Sequence, residues 1–342
     1  MADFVPGLEL SRLFYTEAVK PILESRFPVL PYSAALIGRG SEVLGFDDEV
    51  STDHDWKPRV LLFLREENPA VAETLQRELP AEYRGRSVDA AARGVLGSVE
   101  VHTVRGYFRD TLNLDVDGEI TAEDWLTFPE QTLRTLTAGV VHHDEAGLQD
   151  VRDRLAYYPH DVWLYLLIAG WWRVHPEMNL VGRTGSVGDE LGSALIGSRL
   201  VGELMRLCFL MERQYAPYSK WFGTAFARLE CAAELQPILA EVLHSGTWHE
   251  REKALNAAYE KLGAMHNGLQ LTEPVTIGVE QMWDRPFKVA WADYPGLLAG
   301  QIQDPAVLSI LERWPVGPVD QLRELGWRPH NRPLLLRVFD EK

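Results

Sequence analysis

The chain has 342 residues, of which 46% are hydrophobic and 25% charged. These proportions are typical of a globular protein and exclude a disordered or fibrous one, and the length predicts roughly two domains. Fifty acidic residues against 34 basic ones give a formal net charge of −16. An extended nucleic acid or an anionic membrane surface would therefore be repelled, whereas a small cationic substrate would be tolerated.

We expect neither a secreted nor a membrane-spanning protein. The two cysteines, Cys208 and Cys231, both lie in hydrophobic helical sequence, so no disulfide framework is expected. The N-terminal residues lack the basic segment and the apolar run of a signal peptide. The most apolar stretch, residues 162–172, is too short to span a bilayer. These features favour a cytoplasmic protein.

The first 150 residues alternate between helical and strand-like segments. The spacing of apolar residues predicts two helices, over 8–26 and 69–79, and four strands, over 33–37, 59–64, 99–104 and 139–143. In the third of these strands, Val99 and Val101 share one face, and Glu100 and His102 share the opposite, polar face. We therefore expect an α/β pattern around a small mixed sheet.

The sequence after residue 150 is mostly helical. Its periodicity predicts helices over 161–175, 188–215, 232–244, 247–266 and 307–313, and a strand over 287–291. Thr247 and Glu250 have the spacing of an N-terminal capping box. Four aromatic residues at helical spacing are expected in the core, namely Trp163, Tyr165, Trp171 and Trp172. The predicted fold class is α+β, with a sheet domain over 1–150, a helical domain over 151–270 and a C-terminal extension over 271–342 packed on the helical domain.

One stretch combines residue types that bind phosphate and metal. A predicted strand runs into Gly40-Ser41, eleven residues follow, and Asp53-His54-Asp55 leads into the next predicted strand. Glycine lets the backbone approach a phosphate, and Ser41 can donate its hydroxyl and its N–H to a phosphate oxygen. Asp53 and Asp55 are two apart on an extended segment, so both carboxylates point to the same side. Two such oxygen ligands suit Mg²⁺ when the ion also bridges a triphosphate. The alternative is a solvated acidic turn.

This pattern resembles the nucleotidyltransferase superfamily, which is typified by DNA polymerase β and by the aminoglycoside nucleotidyltransferases. Its signature is a Gly-Ser pair, a short spacer and an Asp-x-Asp at a strand. Residues 147–158 are similar to the segment after the last sheet strand of the small-molecule members. The whole chain also resembles an uncharacterised bacterial nucleotidyltransferase-like family, on the stretches 45–56, 182–193 and 215–221.

The resemblance implies transfer of a nucleoside monophosphate from a nucleoside triphosphate to a hydroxyl, with release of pyrophosphate. ATP is the expected nucleotide. Gly40 and Ser41 would cradle the phosphates, and Asp53 and Asp55 would hold one or two Mg²⁺ ions. Because the chain has an excess of acidic residues, we expect the acceptor to be a small molecule, and a cationic small molecule would suit this charge.

A third carboxylate from a neighbouring strand usually completes such a site or accepts the proton of the hydroxyl. Glu100 is the candidate, because it lies on the polar face of the next predicted strand. The local sequence, Val-Glu-Val-His-Thr-Val, departs from the aspartate-led strand of the superfamily. Alternatively, Glu100 is an exposed strand residue without a catalytic role. In that case Asp189 or Glu190 would be the candidate base.

Two cations of the helical part are candidates for binding the nucleotide. Lys220 is one of only seven lysines in a chain whose other basic residues are arginines, and a compact ammonium suits a β- or γ-phosphate. In small-molecule nucleotidyltransferases a lysine of the helical domain often reaches the triphosphate, so the resemblance implies this role for Lys220. Arg183 is a weaker candidate for phosphate or substrate. Alternatively, Lys220 is a surface lysine beside Trp221, and Arg183 lies in a loop between two helices without a role in binding.

Two other functions stay open at this point. One is a toxin-like nucleotidyltransferase that modifies a protein or a tRNA, although the lack of basic stripes argues against tRNA. The other is a nucleotide-binding scaffold that keeps the fold and has lost the chemistry. A His/Asp metal-dependent phosphohydrolase is disfavoured, because His142-His143-Asp144 and His54-Asp55 border strands and not helices.

Overall fold

A computed structural model describes residues 4–53, 57–88, 97–314, 317–318 and 332–337. The chain divides into two compact units. The described residues within Met1–Ile120, Gln131–Ala156 and Arg328–Arg332 belong to the first unit, and those within Thr121–Glu130, Tyr157–Trp327 and Pro333–Lys342 belong to the second. The division into three parts expected from the sequence stays a prediction.

A four-stranded mixed sheet forms the centre of the first unit. Its strands are β1 (Tyr32–Leu36), β2 (Val60–Leu64), β5 (Val99–Thr103) and β6 (Val140–Asp144), and a separate hairpin pairs β3 (Glu82–Tyr83) with β4 (Arg86–Ser87). The order is β5-β2-β1-β6, with β1 antiparallel to β2 and β6, and with β2 parallel to β5. All four predicted strands are therefore present, each within one or two residues of its predicted bounds. The short hairpin was not predicted.

The helices up to residue 154 are α1 (Gly7–Phe14), α2 (Lys20–Arg26), α3 (Pro69–Glu78), α4 (Val104–Leu112), α5 (Ala122–Thr127), α6 (Glu130–Thr137) and α7 (Leu148–Arg154). A π-helical segment, Tyr15–Val19, joins α1 to α2, so the predicted helix over 8–26 is one helical run. The predicted helix over 69–79 corresponds to α3.

Every residue of β1 and β2 is buried, because both faces of the sheet are covered. Leu10 and Phe14 of α1 and Val71 of α3 pack in one cluster with the even-numbered residues of β2. On the opposite face, the ring of Phe63 meets Tyr107 of α4 edge-on at 5.2 Å between centroids. Val99 and Val101 pack against the first cluster, so the predicted alternation along β5 is confirmed.

The second unit is mainly helical. Beyond α5, its helices are α8 (His160–Val174), α9 (Leu180–Gly185), α10 (Glu190–Met211), α11 (Ser219–Phe226), α12 (Ala232–His244), α13 (Trp248–Gly268), α14 (Tyr294–Ala299) and α15 (Pro305–Arg313). A hairpin of β7 (Gly278–Gln281) and β8 (Lys288–Trp291) follows α13, and a short helix α16 spans Arg332–Leu336. The fold class is thus α+β, as predicted.

Two predictions for the helical part need correction. The helix predicted over 188–215 is shorter, because Asp189 caps its first turn and Arg213 has a left-handed backbone (φ 51°) that ends it. Trp163, Tyr165 and Trp171 are buried as expected, but Trp172 is 51% exposed. Residues 162–171 of α8 are buried on all sides of the helix, whereas Trp172 lies in the last turn, where Arg173 is also partly exposed.

The predicted capping box of α13 is present, with Thr247 and Glu250 each accepting a hydrogen bond from the other's backbone N–H. Among the helices of the described residues, none combines the length and the apolar composition needed to cross a bilayer.

Candidate functional site

Three segments of the candidate site meet at one end of the sheet. Ala35 near the end of β1 pairs with Leu61 near the start of β2, and Leu61 pairs with Glu100 on β5. The Gly-Ser loop follows β1, and the Asp-x-Asp segment precedes β2. The strand register therefore brings the loop, the entry to β2 and Glu100 to the same sheet end.

Two glycines shape the loop after β1 (residues 38–42, here called the Gly-Ser loop). Gly38 and Gly40 have positive φ values of 84° and 128°. A Cβ on Gly38 would lie 2.3 Å from the hydroxyl of Tyr107, and one on Gly40 would lie 2.3 Å from the carboxylate of Glu42. Both positions therefore exclude a side chain for reasons of backbone conformation and of space.

A buried ion pair lies beneath this loop. Arg59 Nη1 donates to Glu42 Oε1 at 2.9 Å and to the carbonyl of Arg39, also at 2.9 Å. The two side chains are only 5% and 11% exposed. Burial raises the pKa of the Glu42 carboxyl, and the charge of Arg59 opposes this rise. The pair thus connects the Gly-Ser loop to the residue that immediately precedes β2.

Glu100 lies on the polar face of β5 with its side chain 21% exposed. Its Oε2 is 3.3 Å from His102 Nε2, whereas its Oε1 is buried and has no hydrogen-bond partner among the described residues. Burial acts to raise the pKa of Glu100, but His102, Arg59 and a backbone hydrogen bond from Gly97 outweigh it and hold the pKa below the ordinary value. Glu100 therefore carries a negative charge at neutral pH.

Tyr107 of α4 is a neighbour of both the loop and Glu100. Its hydroxyl lies against Gly38, and its ring is 5.1 Å from the ring of His102. Burial raises the pKa of Tyr107 to about 12, and the negative charge of Glu100 contributes to the rise. Tyr107 is thus a neutral hydroxyl at physiological pH.

The acidic segment between the loop and β2 is described in part. Asp47 accepts a hydrogen bond from the backbone N–H of Gly7 at 2.7 Å, and Asp48 accepts one from Ser51. Asp53 ends a short 3-10 helix, Val50–Asp53, but its side chain is outside the described part of the chain, as is the whole of Asp55. Within the described part, no group of three metal-binding side chains forms.

The remaining sequence candidates belong to the second unit. Lys220 in the first turn of α11 is exposed, and its Nζ lies 4.7 Å from the centroid of the Trp221 ring. Arg183 on α9 is exposed, with Nη1 3.5 Å from Asn179 Oδ1.

The two alternative bases have structural partners in the second unit. Asp189 accepts a hydrogen bond from the backbone N–H of Gly192 and so caps α10. Glu190 accepts hydrogen bonds from the backbone N–H of Trp248 and from Arg251. Each carboxylate therefore stabilises a helix start.

Sequence reasoning missed Glu42, Arg59 and Tyr107. Glu42 immediately follows Gly40-Ser41, and Arg59 was counted as the first residue of an apolar strand. A charged residue at the start of an otherwise apolar buried strand was the signal available for Arg59, because a buried arginine needs a partner.

A family model and a solved structure are similar to this chain. A family model described as "Domain of unknown function (DUF4037)" matches residues 125–222, less than a third of the chain. The comparison with curated proteins found no match. The chain is similar to the crystal structure of a nucleotidyltransferase-like protein from Exiguobacterium sibiricum 255-15, with 12% identity over 83% of this chain and 97% of that chain. The TM-score is 0.34, which is too low to support an assignment of activity.

Proposed function

We propose that the protein is a Mg²⁺-dependent nucleotidyltransferase that transfers a nucleoside monophosphate, from ATP, to a hydroxyl group of a small molecule. One observation carries the proposal: the strand register brings the Gly-Ser loop, the entry to β2 and the ionised Glu100 to one sheet end. The sequence motif of Gly40, Ser41, Asp53 and Asp55 falls on those segments. Strands that converge in this way are a common place for a ligand site.

The donor set suits Mg²⁺. The buried Oε1 of Glu100 is a hard oxygen without a hydrogen-bond partner among the described residues, and Asp53 and Asp55 add carboxylates to the segment that enters β2. These three residues would hold the ion, and Glu100 would complete the metal site or accept the hydroxyl proton. The bound ion would neutralise charge on the phosphates and orient them.

In the proposed reaction the acceptor oxygen bonds to the α-phosphorus, and the bond from this phosphorus to the bridging oxygen breaks as pyrophosphate leaves. Gly40 and Ser41 bind phosphate oxygens through the backbone N–H groups and the serine hydroxyl. For Lys220 and Arg183, which belong to the second unit, binding of the pyrophosphate or the substrate stays a prediction from the sequence. The chain thus contributes mainly positioning and charge neutralisation.

Nucleotide binding and pyrophosphate release test the proposal. We expect calorimetry to show binding of ATP only when Mg²⁺ is present, and a phosphate-release assay with added pyrophosphatase to report turnover with small hydroxyl acceptors. D53N, D55N and E100Q should each lower turnover at least about 100-fold, the size of loss seen when one electrostatic group of an active site is removed. D110N removes an exposed carboxylate of the same unit and should leave turnover unchanged.

The proposal fails if the folded protein binds none of the four common nucleoside triphosphates in the presence of Mg²⁺. Binding without pyrophosphate release from any acceptor, small molecule or protein, would instead indicate a nucleotide-binding scaffold. Transfer to a protein, seen as added mass on that protein, would correct the acceptor class.

A further inference from the structure

The buried ion pair of Glu42 and Arg59 joins the last residue of the Gly-Ser loop to the residue that precedes β2. Both side chains are nearly fully buried, and Arg59 uses a single nitrogen, Nη1, for Glu42 and for the carbonyl of Arg39. Its Nε is buried and has no hydrogen-bond partner among the described residues. A buried ion pair of this kind adds little to the free energy of unfolding, because the cost of removing both charges from water offsets much of their attraction. Its placement calls for another explanation.

Contacts on either side of Gly40 hold the loop backbone. The carboxylate of Glu42 occupies the space beside the Cα of Gly40, and Arg59 binds the carbonyl that precedes Gly40. Within the turn, the N–H groups of Leu44 and Phe46 both donate to the carbonyl of Ser41. Beyond this turn, the N–H of Gly38 donates to the carbonyl of Thr135, so the ion pair supplies the side-chain contacts next to Gly40 and backbone bonds hold the rest of the segment.

The loop also needs external support for its conformation. Gly38 and Gly40 both have positive φ, and glycine is the residue that loses most conformational freedom when it is ordered. A loop with two such residues relaxes into other conformations unless its neighbours hold it. Backbone N–H groups bind an anion well only when they already point to one place.

We propose that Arg59 and Glu42 are positioning residues, which hold the Gly-Ser loop in the conformation that binds the nucleotide phosphates although neither side chain touches the nucleotide. This inference rests on the proposed function for its ligand. The part that concerns the loop stands on the contacts alone, so it can be tested without nucleotide.

Hydrogen exchange measured by mass spectrometry on the full-length protein tests the loop. In R59M, amides of a peptide covering residues 37–46 should exchange at least tenfold faster than in the unchanged protein, and peptides of α12 and α13 should not change. E42Q keeps an acceptor for Arg59 but loses the charge, so it should give a smaller increase in the same peptide. If R59M does not fold, the exchange of residues 37–46 in E42Q decides the test instead.

A matched control is available in the second unit. Arg173 and Glu203 form another largely buried pair at 2.7 Å, with side chains 17% and 18% exposed. R173M should lower thermal stability and leave exchange in residues 37–46 as it is. A loss of stability alone therefore cannot produce the loop-specific result.

The second arm measures the dissociation constant for Mg-ATP, well below the unfolding temperature of each variant. R59M should raise it at least tenfold, and R173M should leave it within twofold. The inference is wrong if the folded R59M and E42Q proteins keep the original loop exchange, or if their loops exchange faster while Mg-ATP affinity is unchanged. If the unchanged protein binds no nucleotide, the proposed function fails, and the exchange arm still decides whether the pair holds the loop.

Discussion

Single residues at the candidate site are constrained by space as much as by charge. Glu100 is ionised because its hydrogen-bond partners and Arg59 outweigh the effect of burial, and Tyr107 is neutral because burial and Glu100 act in the same direction. Gly40 has no room for a side chain, because the carboxylate of Glu42 occupies that space. The local chemistry therefore depends on residues that are distant in sequence.

Substitution of Gly40 tests this crowding. G40A adds a Cβ at positive φ and against Glu42, so it should lower the free energy of unfolding by about 1–3 kcal/mol. G85A is the matched control, since Gly85 also has positive φ (76°) but no atom lies within 4 Å of its Cβ. Urea denaturation should show a clearly smaller loss for G85A. Equal losses in the two variants would mean that Glu42 moves aside at little cost.

At the scale of elements, helix ends explain most differences between the predicted and observed helix bounds. Asp189 starts α10 two residues after the predicted start, and the left-handed Arg213 stops it four residues before the predicted end. Where a capping signal was recognised in the sequence, at Thr247, the observed helix begins at the next residue, as expected. Caps are short local signals that apolar periodicity alone does not contain.

The capping box of α13 provides a prediction at this scale. T247A removes the acceptor of the Glu250 N–H and should lower the free energy of unfolding by about 1 kcal/mol. T247S keeps the hydroxyl and should stay within a few tenths of a kcal/mol of the unchanged protein. Thermal denaturation of both variants measures the difference. A T247A protein as stable as T247S would show that water replaces the cap.

For the whole molecule, two buried histidines and a partly buried one make stability depend on pH. Burial lowers the pKa values of His142, His175 and His266 to about 4, from an ordinary value of 6.5. Between these two values the unfolded chain binds protons that the folded chain does not bind. The free energy of unfolding therefore falls as the pH falls from about 6.5 toward 4.

Denaturation at pH 7.0 and 5.0 measures this effect. His266 is 1% exposed, and its Nδ1 accepts a hydrogen bond from Trp171. H266Q, whose amide oxygen can accept the same bond, should reduce the loss of stability between the two pH values by on the order of 1–2 kcal/mol. H244Q changes an exposed histidine and should leave the loss as it was. The same pH dependence in all three proteins would contradict a neutral buried His266.

Much of the architecture was predictable from local patterns. Apolar runs located β1 and β2, and alternation along β5 put Glu100 on the face opposite Val99 and Val101. The β3–β4 hairpin has only two residues in each strand, too few for any periodicity. The exposure of Trp172 could not be predicted from spacing, because α8 is buried on all sides up to Trp171 and becomes exposed only in its last turn.

By itself, the sequence determined the fold class, the four strands of the sheet and the motif residues, because periodicity and spacing are local properties of a chain. Only the tertiary structure decided that Arg59 binds the carbonyl of Arg39, that Glu42 fills the space beside Gly40 and that Tyr107 lies against Gly38. These contacts join residues from a loop, a strand start and a helix. Their formation depends on strand register and on burial, which arise when the chain packs and which no short segment contains.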